Sequence, residues 1–578
     1  MKSCSSWEGE TELWLTDKQG NKLFIEDPIK KAVELLKSGK ILAIKGLGGF
    51  HLACDPFNQA VVIKLRKRKK RPDKPFALMM RDLKTVSEYS YLSPEEEGVL
   101  SGKGKVILLL ERKNSQISDE ISPDNNQIGI MLPYTAIQEY LFQSLKALIM
   151  TSANLSGLPL EYTDQGALSR LNKIADYFLL HNRDIKFPID DSISRIILGK
   201  ERLIRRARGY TPLVIHFPGL KESLACGSYL KNTIALAEGE SIIFSQHLGD
   251  INNLENYQHY KKAVEHYKSI YQIEAEIIAH DLHPGYISSR FARAQAGRKI
   301  GIQHHHAHIV SCMVDNEIRK KVIGLAFDGS GLGTDKRIWG GEFLICDYSG
   351  FKRVGQLKYV KMPGGETAVK EPWRMALSYL YHSFGDNREL ISSLIDIDQR
   401  EIDKVLNYLK SDLDITETSS MGRLFDATAS IIGLGNYISY QAQLAIKLEN
   451  AVSQIERSFT PYSYQIENKK GFFLINILSV IREIVLDIER GIRREEIAGR
   501  FHDTVIDFSV SLCELIREKY DINTTVLSGG VFQNKIILEG IYKRLDTKGF
   551  EVYIHSRIPC NDGGLSVGQL VIANYMGH

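Results

Sequence analysis

From Asp27 onward, short apolar runs bounded by polar turns alternate with stretches of helical periodicity. Such runs are buried most simply as strands of sheets covered by helices, which predicts an α/β architecture. Ile41 to Ile44, Phe76 to Met80, Val106 to Leu110 and Ala147 to Met150 are the strand candidates of the first third. Asp27-Pro28 reads as an N-cap followed by proline at the first helical position; Ile29, Val33 and Leu36 share a face, and Gly39 ends the helix. Asp55-Pro56 repeats that start signal.

At 578 residues the chain is too long for one ordinary domain. A boundary is expected near Thr211-Pro212, giving an α/β domain over 23–212 and a second over 213–578. Beyond it come strands around Thr233 to Ala237, Ser241 to Ser245 and Lys321 to Phe327, then helical stretches Arg374 to Tyr381 and Ser479 to Val510. The last unit reads strand (Thr525 to Leu527), glycine turn, helix (Phe532 to Leu545), strand (Val552 to Ile554), glycine turn, helix. Residues 1–22 are polar and show no core pattern of their own. A net charge of +4 argues against a dedicated nucleic-acid binder. The seven cysteines have no C-x-x-C spacing, so reduced cytoplasmic thiols are the simplest reading. There is no signal peptide and no apolar run of transmembrane length, so no membrane partner is expected.

Two places carry phosphate chemistry. Eight basic residues lie between Lys64 and Lys74, at a helix end followed by Pro75 and a strand. They suit a polyphosphate, or else form a solvated basic helix end. The strand Ala147 to Met150 runs into Thr151-Ser152-Ala153-Asn154, a polar cradle for a nucleotide or an ordinary Ser/Asn turn. Neither a P-loop nor a placed Rossmann fingerprint occurs.

A third place suits a metal. His304 and His308, four apart in His304-His305-His306-Ala307-His308, leave one helix face together. Asp328, at the end of Lys321 to Phe327, and Asp562, in Asn561-Asp562-Gly563-Gly564, would complete a His₂Asp₂ set for zinc or iron. Each aspartate alone is more often a turn residue. Ser528-Gly529-Gly530 to Asn534 is a glycine turn at a helix start, fit for phosphate or ribose. Asp426, in Gly422-Arg423-Leu424-Phe425-Asp426, could accept ribose hydroxyls or be a surface carboxylate.

Leu65 to Lys69, Lys74 to Met79, Thr151 to Asn154, Asp190-Asp191-Ser192 and Arg205 to Tyr210 together resemble a YrdC-type domain. That resemblance implies ATP, with Mg²⁺, bound through Lys74, Thr151, Ser152, Asn154, Ser192 and Arg206, with Arg68 and Lys69 catalytic in forming a carbamoyl-type adenylate. Cys226 to Thr233, with Lys231, resembles the opening hairpin of two-lobed actin/Hsp70/hexokinase-type nucleotide folds. With His283-Pro284-Gly285-Tyr286, Gln303 to His308, Asp328 to Asp335, Trp339-Gly340-Gly341-Glu342-Phe343, Ser420 to Asp426, Ser528 to Asn534 and Asn561 to Leu565, nearly the whole chain resembles the HypF carbamoyltransferases of nickel–iron hydrogenase maturation.

The resemblance implies a YrdC-like domain followed by one similar to the transferase that makes threonylcarbamoyladenosine in tRNA. It implies nucleotide contacts at Lys231, Gly422, Asp426, Gly529, Gly530 and Asn534, and one zinc or iron ion at His304, His308, Asp328 and Asp562. The implied reaction joins carbamate to ATP and moves the carbamoyl group from the adenylate to the C-terminal cysteine of HypE, for cyanide-ligand synthesis. Full-length members begin with an acylphosphatase domain and paired C-x-x-C modules. Here residues 1–22 are read as a remnant of the zinc-binding region, and carbamoyl phosphate hydrolysis as missing. The nearest rival is tRNA threonylcarbamoylation, which would require tRNA and threonine. A metalloprotease lacks its H-E-x-x-H glutamate, since His305, His306 and Ala307 fill the gap. A basic RNA-binding module would rest on Lys64 to Lys74 alone.

Overall fold

The structure, a computed structural model, describes residues 11–113, 116–411, 415–452 and 459–576. Cys4 and residues 1–10 of the expected N-terminal remnant lie outside them. The chain forms two compact units, Met1–Pro212 with Ser245–Ala263 and Leu213–Phe244 with Val264–His578. The stretch Ser245–Ala263, expected within 213–578, therefore packs with the first unit. Among the described residues no helix is long and apolar enough to cross a membrane.

The first unit is built on a ten-stranded mixed sheet with helices on both faces. Its expected strands form at Leu42–Lys45, Ala77–Met80, Ile107–Glu111 and Ala147–Ser152. The helix Pro28–Lys37 starts where Asp27 predicts, with the Asp27 side chain accepting from Lys30 N at 2.9 Å. The next helix starts later than Asp55-Pro56 suggested. Asn58 is its cap, accepting from Val61 N at 3.3 Å, and the helix runs Gln59–Lys69. Leu13–Asp17, read as having no core pattern, is an edge strand antiparallel to Tyr177–His181, and Leu15 is fully buried. A single five-residue edge strand leaves too short an alternation to detect.

The strand Ala147–Ser152 lies between Phe50–Cys54 and Ala77–Met80, so Ser152 ends a central strand. Lys70 takes left-handed φ of 51° and turns the chain sharply after the basic helix. Arg66, part of the basic run, holds this turn from inside: its Nη1 donates to the carbonyls of Arg71 and Pro72, each at 2.9 Å.

The second unit has a six-stranded sheet and a nine-stranded sheet. One apolar core joins both sheets and includes the helices His304–Asp315 and Leu565–Tyr575. These helices cross closely at Gly568, where a Cβ would come within 2.0 Å of the Ala307 carbonyl oxygen. The expected helix Ser479 to Val510 is two helices, Leu478–Glu489 and Arg494–Tyr520, separated at Gly491 with φ of +72°. Phe532 to Leu545 likewise divides into a short 3₁₀ turn, Gly530–Gln533, and a helix, Lys535–Thr547, capped by Asn534.

Asp328 does not end its strand. Val322–Leu332 is continuous, with a register shift between Phe327 and Gly331 against Ile338–Cys346. Such irregularities re-aim a side chain without ending the sheet, and here they fall on the residues around Asp328.

Candidate functional site

In the first unit the end of the basic helix meets the end of the strand Ala147–Ser152. Lys69 is buried, and its Nζ donates to the Ser152 carbonyl at 2.6 Å, the Asn154 carbonyl at 2.9 Å and Asn154 Oδ1 at 2.8 Å. Ser152 Oγ donates to the same Oδ1 at 3.1 Å. Burial, then the charges of Arg71 and Lys74, holds Lys69 well below the ordinary lysine range. A polyanion placed there would relieve that strain on the ammonium.

Lys69, Ser152 and Asn154 are therefore brought together, and Thr151 borders them through Arg71. Arg71, which the sequence reading left undifferentiated in the basic run, places Nη1 3.5 Å from Thr151 Oγ1. Burial, then repulsion from Arg66 and Arg205, pushes Arg71 down to about 9, still a cation at neutral pH. Other expected residues are engaged elsewhere. Arg68 donates to the Ile174 carbonyl and to Asp176 Oδ1, both at 2.8 Å. Ser192 Oγ is fully buried between Arg208 O and Ala207 N. Lys74 offers its carbonyl to Arg66 and Arg71, and Arg206 is buried.

A group to which the sequence reading gave no role stands beside this cradle. His51 faces Ser152 across the sheet, and its Nε2 lies 2.9 Å from Asp191 Oδ2. Arg208 Nε donates to Asp191 Oδ1 at 2.9 Å and stacks over Tyr134 at 3.5 Å. Burial alone would raise Asp191; His51 and Arg208 hold it far below the usual carboxylate range.

In the second unit Gln303 caps the helix His304–Asp315, its side chain accepting from His306 N at 2.8 Å. His304 and His308 leave the first turn on one face. Ligand atoms of His304, His308, Asp328 and Asp562 all lie within 4.8 Å of one another. From His304 Nε2 it is 3.5 Å to Asp328 Oδ2 and 3.8 Å to Asp562 Oδ1; from His308 Nε2 the distances are 4.0 and 3.7 Å. These separations are long for hydrogen bonds. They are close to the roughly 3.4 Å that tetrahedral ligands of a zinc-sized ion keep from each other.

The donor set fits an ion. Both Nε2 atoms are buried with no hydrogen-bond partner, a costly state for two nitrogens facing two carboxylates. For three of the four ligands the other polar atom is tied back. His304 Nδ1–H donates to Asp281 at 2.7 Å, Gly530 N–H to Asp328 Oδ1 at 3.1 Å, and Ser228 Oγ to Asp562 Oδ2 at 2.9 Å. Burial alone would lower His304, but Asp281, Asp328 and Asp562 raise it well above its ordinary value. That is the field a cation would neutralise. His305 points elsewhere; Gln303 contacts its Nδ1 at 3.1 Å, and burial, then His304, keeps it well below the ordinary value.

The expected nucleotide residues of this unit gather around the same aspartates to differing degrees. Gly529, φ +110°, passes so close that a Cβ would lie 2.2 Å from the Phe327 carbonyl oxygen. Gly422 packs on Gly329, its Cβ position 2.8 Å from the Gly329 Cα. Lys231 takes left-handed φ of 47°, and its carbonyl oxygen is 3.6 Å from where Gly563 would carry a Cβ. Asp426 is no surface carboxylate. It is buried beside Arg423 at 2.8 Å, and burial raises it despite that arginine. Asn534 is fully engaged, Oδ1 accepting from Ile537 N at 3.1 Å and Nδ2 reaching His502 Nε2 at 3.0 Å.

Behind Asp328 lies a buried network. Glu342 is wholly buried and accepts from Gly340 N at 3.1 Å, Gly341 N at 3.2 Å and Arg353 Nε at 2.5 Å. Arg353 in turn stacks over Trp339 at 3.8 Å. Gly340, φ +156°, lies where a Cβ would be 2.5 Å from the Asp328 carbonyl oxygen, so this network fixes the backbone that carries Asp328.

Three family models match the chain: "Telomere recombination" (the Sua5/YciO/YrdC family) over residues 34–207, "HypF Kae1-like domain" over 219–315, and "Carbamoyltransferase, Kae1-like Domain, second subdomain" over 324–569. The chain is 36% identical to carbamoyltransferase HypF of Synechocystis sp. over 561 residues, covering 93% of this chain and 72% of that protein. It is 35% identical to carbamoyltransferase HypF2 of Cupriavidus necator, covering 97% of this chain and 75% of that protein. A solved structure of full-length HypF in a phosphate- and nucleotide-bound form superposes with a TM-score of 0.94 at 41% identity, over 98% of this chain and 74% of that one.

Proposed function

The chain belongs to the HypF carbamoyltransferase family, and on that premise we propose a two-stage carbamoyl transfer serving nickel–iron hydrogenase maturation in the cytoplasm. In the YrdC-like domain, which we place over 23–212 within the first unit, a carbamate oxygen attacks the α-phosphorus of Mg²⁺-bound ATP. The Pα–O–Pβ bond breaks, and carbamoyl adenylate and pyrophosphate form. Lys69 and Arg71 place positive charge where the leaving pyrophosphate develops negative charge, while Ser152 and Asn154 orient the nucleotide. Arg68, tied to Asp176, supports the helix that carries Lys69.

In the second domain, which we place over 213–578 and whose body is the second unit, the adenylate lies at the glycine turn Gly529–Gly530 and the helix start at Gly422. His304, His308, Asp328 and Asp562 would hold one zinc or iron ion. When bound, the ion would supply Lewis-acid stabilisation to an anionic oxygen of the nucleotide. The thiolate of the C-terminal cysteine of HypE attacks the carbamoyl carbon, the carbon–oxygen bond to phosphate breaks, and AMP leaves. Among the chain's own cysteines, burial pushes the thiols of Cys54, Cys346 and Cys513 up and keeps them protonated, which suits them poorly as acceptors.

The observation that carries this reading is the convergence of four potential ligand atoms within 4.8 Å from three separate chain segments, in a chain with a YrdC-like unit ahead of them. The test is carbamoyl transfer to purified HypE, read by intact mass, with ATP and either ammonium carbamate or carbamoyl phosphate. A gain with carbamate alone supports both stages; gain with both shows that carbamoyl phosphate is also used. No gain with either, in a protein that binds ATP and metal, would turn the reading toward a tRNA acceptor.

A further inference from the structure

Arg423 is the buried cation that this account leaves without a task. It is 7% exposed and sits in the first turn of the helix Met421–Ile431. Ser420 caps that helix: its Oγ accepts from Arg423 N at 3.1 Å and donates to the Gly329 carbonyl at 2.7 Å, which fixes the helix start against the residue after Asp328. The guanidinium is under-satisfied. Nη2 lies 2.8 Å from Asp426 Oδ2, but the contact is not aligned as a hydrogen bond, and Nε and Nη1 have no partner. Buried N–H groups left in that state are rare and costly unless a ligand or water completes them.

The surroundings point to the ligand's charge and place. A Cβ built on Gly329 would meet one atom within 4 Å, Arg423 Nη2 at 3.7 Å. The space over Gly329 is thus open, and the guanidinium borders it, one residue from a metal ligand. A divalent ion in the cluster would face three carboxylates, Asp281, Asp328 and Asp562, so the centre keeps a negative excess that opposes a further anion. An anionic substrate there needs a fixed cation beside the ion, and the start of the helix Met421–Ile431 places Arg423 at that point.

We propose that Arg423 binds a non-bridging phosphate oxygen of the adenylate in the second unit, with Asp426 holding the guanidinium in place. The proposal rests on the reading that an adenylate occupies this unit. It makes Asp426 a positioning residue for Arg423 in place of a direct contact to ribose.

The test is calorimetric titration of AMP and adenosine into the full chain carrying Lys69→Ala, which silences the first unit, with zinc present. Arg423→Gln is expected to weaken AMP about ten- to hundred-fold, the loss of one or two charge-assisted hydrogen bonds, and to leave adenosine unchanged. Arg423→Lys, which keeps charge but not the fork, is expected to fall between, and carries the comparison if the glutamine variant does not fold. Equal losses for AMP and adenosine would overturn the phosphate assignment, as would an unchanged AMP affinity, the result for a guanidinium satisfied by water. If the Lys69→Ala parent binds neither compound, the adenylate reading of the second unit falls, and this proposal with it.

Discussion

His304 Nδ1 and Asp281 Oδ2 lie 2.7 Å apart, and neither side chain is exposed by more than 1%. The carboxylate accepts from Nδ1–H, which leaves the Nε2 lone pair facing Asp328 and Asp562. Outer carboxylates of this kind fix the tautomer and raise the basicity of a ligand histidine. Asp281→Asn is therefore expected to lower zinc affinity about 10- to 100-fold, measured by competition with a chromophoric chelator. An unchanged affinity would remove Asp281 from the metal site.

The two units are expected to fail separately. Lys69→Ala should reduce carbamate-dependent ATP–pyrophosphate exchange by at least about 100-fold, since a buried cation at the phosphates is lost. Metal content should not change. Asp328→Asn should leave exchange intact and abolish transfer to HypE. Loss of exchange in the Asp328 variant would contradict the assignment of the two stages to different units.

Arg353→Met strands the Glu342 carboxylate, which is wholly buried. Breaking such a pair from one side costs about 3–5 kcal/mol. Denaturant unfolding of the variant should show that loss. The double change Arg353→Met with Glu342→Gln should recover part of it, and a single variant as stable as the parent would mean that solvent reaches Glu342.

His502 sets a pH dependence. Burial lowers it below the ordinary histidine value, against the opposing pull of its bond to the Ala498 carbonyl, 2.8 Å from Nδ1. The folded protein thus holds it neutral while the unfolded chain protonates near 6.5. Its contribution to stability is complete above about pH 6.5 and is lost as pH falls toward the depressed folded value, at no more than about 1.4 kcal/mol per pH unit. Unfolding in urea at pH 7.5 and 5.5 should show the difference, and His502→Gln should shrink it. An equal difference in both proteins would assign the acid sensitivity elsewhere.

The alternation of strands and helices was legible because buried runs and capping residues are local signals, as at Asp27-Pro28. The candidate metal set was legible one residue at a time: the i, i+4 spacing of His304 and His308 on a helix, and aspartates in glycine-rich turns, although Asp328 lies within a strand and not at its end. What sequence could not give is the pairing of side chains across elements. Ser228 stands in a quoted family signature and Asp281 just before another, yet only the fold shows them behind Asp562 and His304. Arg68 and Lys69 are neighbours in a basic run that reads uniformly. The helix turns them about 100° apart, so one reaches Asn154 and the other Asp176. Asp426 left two readings open, ribose acceptor or surface carboxylate, because its burial beside Arg423 leaves no trace in five residues of sequence.

The four candidate ligands stand at positions 304, 308, 328 and 562, from three separate stretches of the second unit. No short fragment of the chain can assemble this set. Ion uptake then registers the meeting of chain segments far apart in sequence, and the dissociation constant for zinc becomes a gauge of how completely a given preparation has folded.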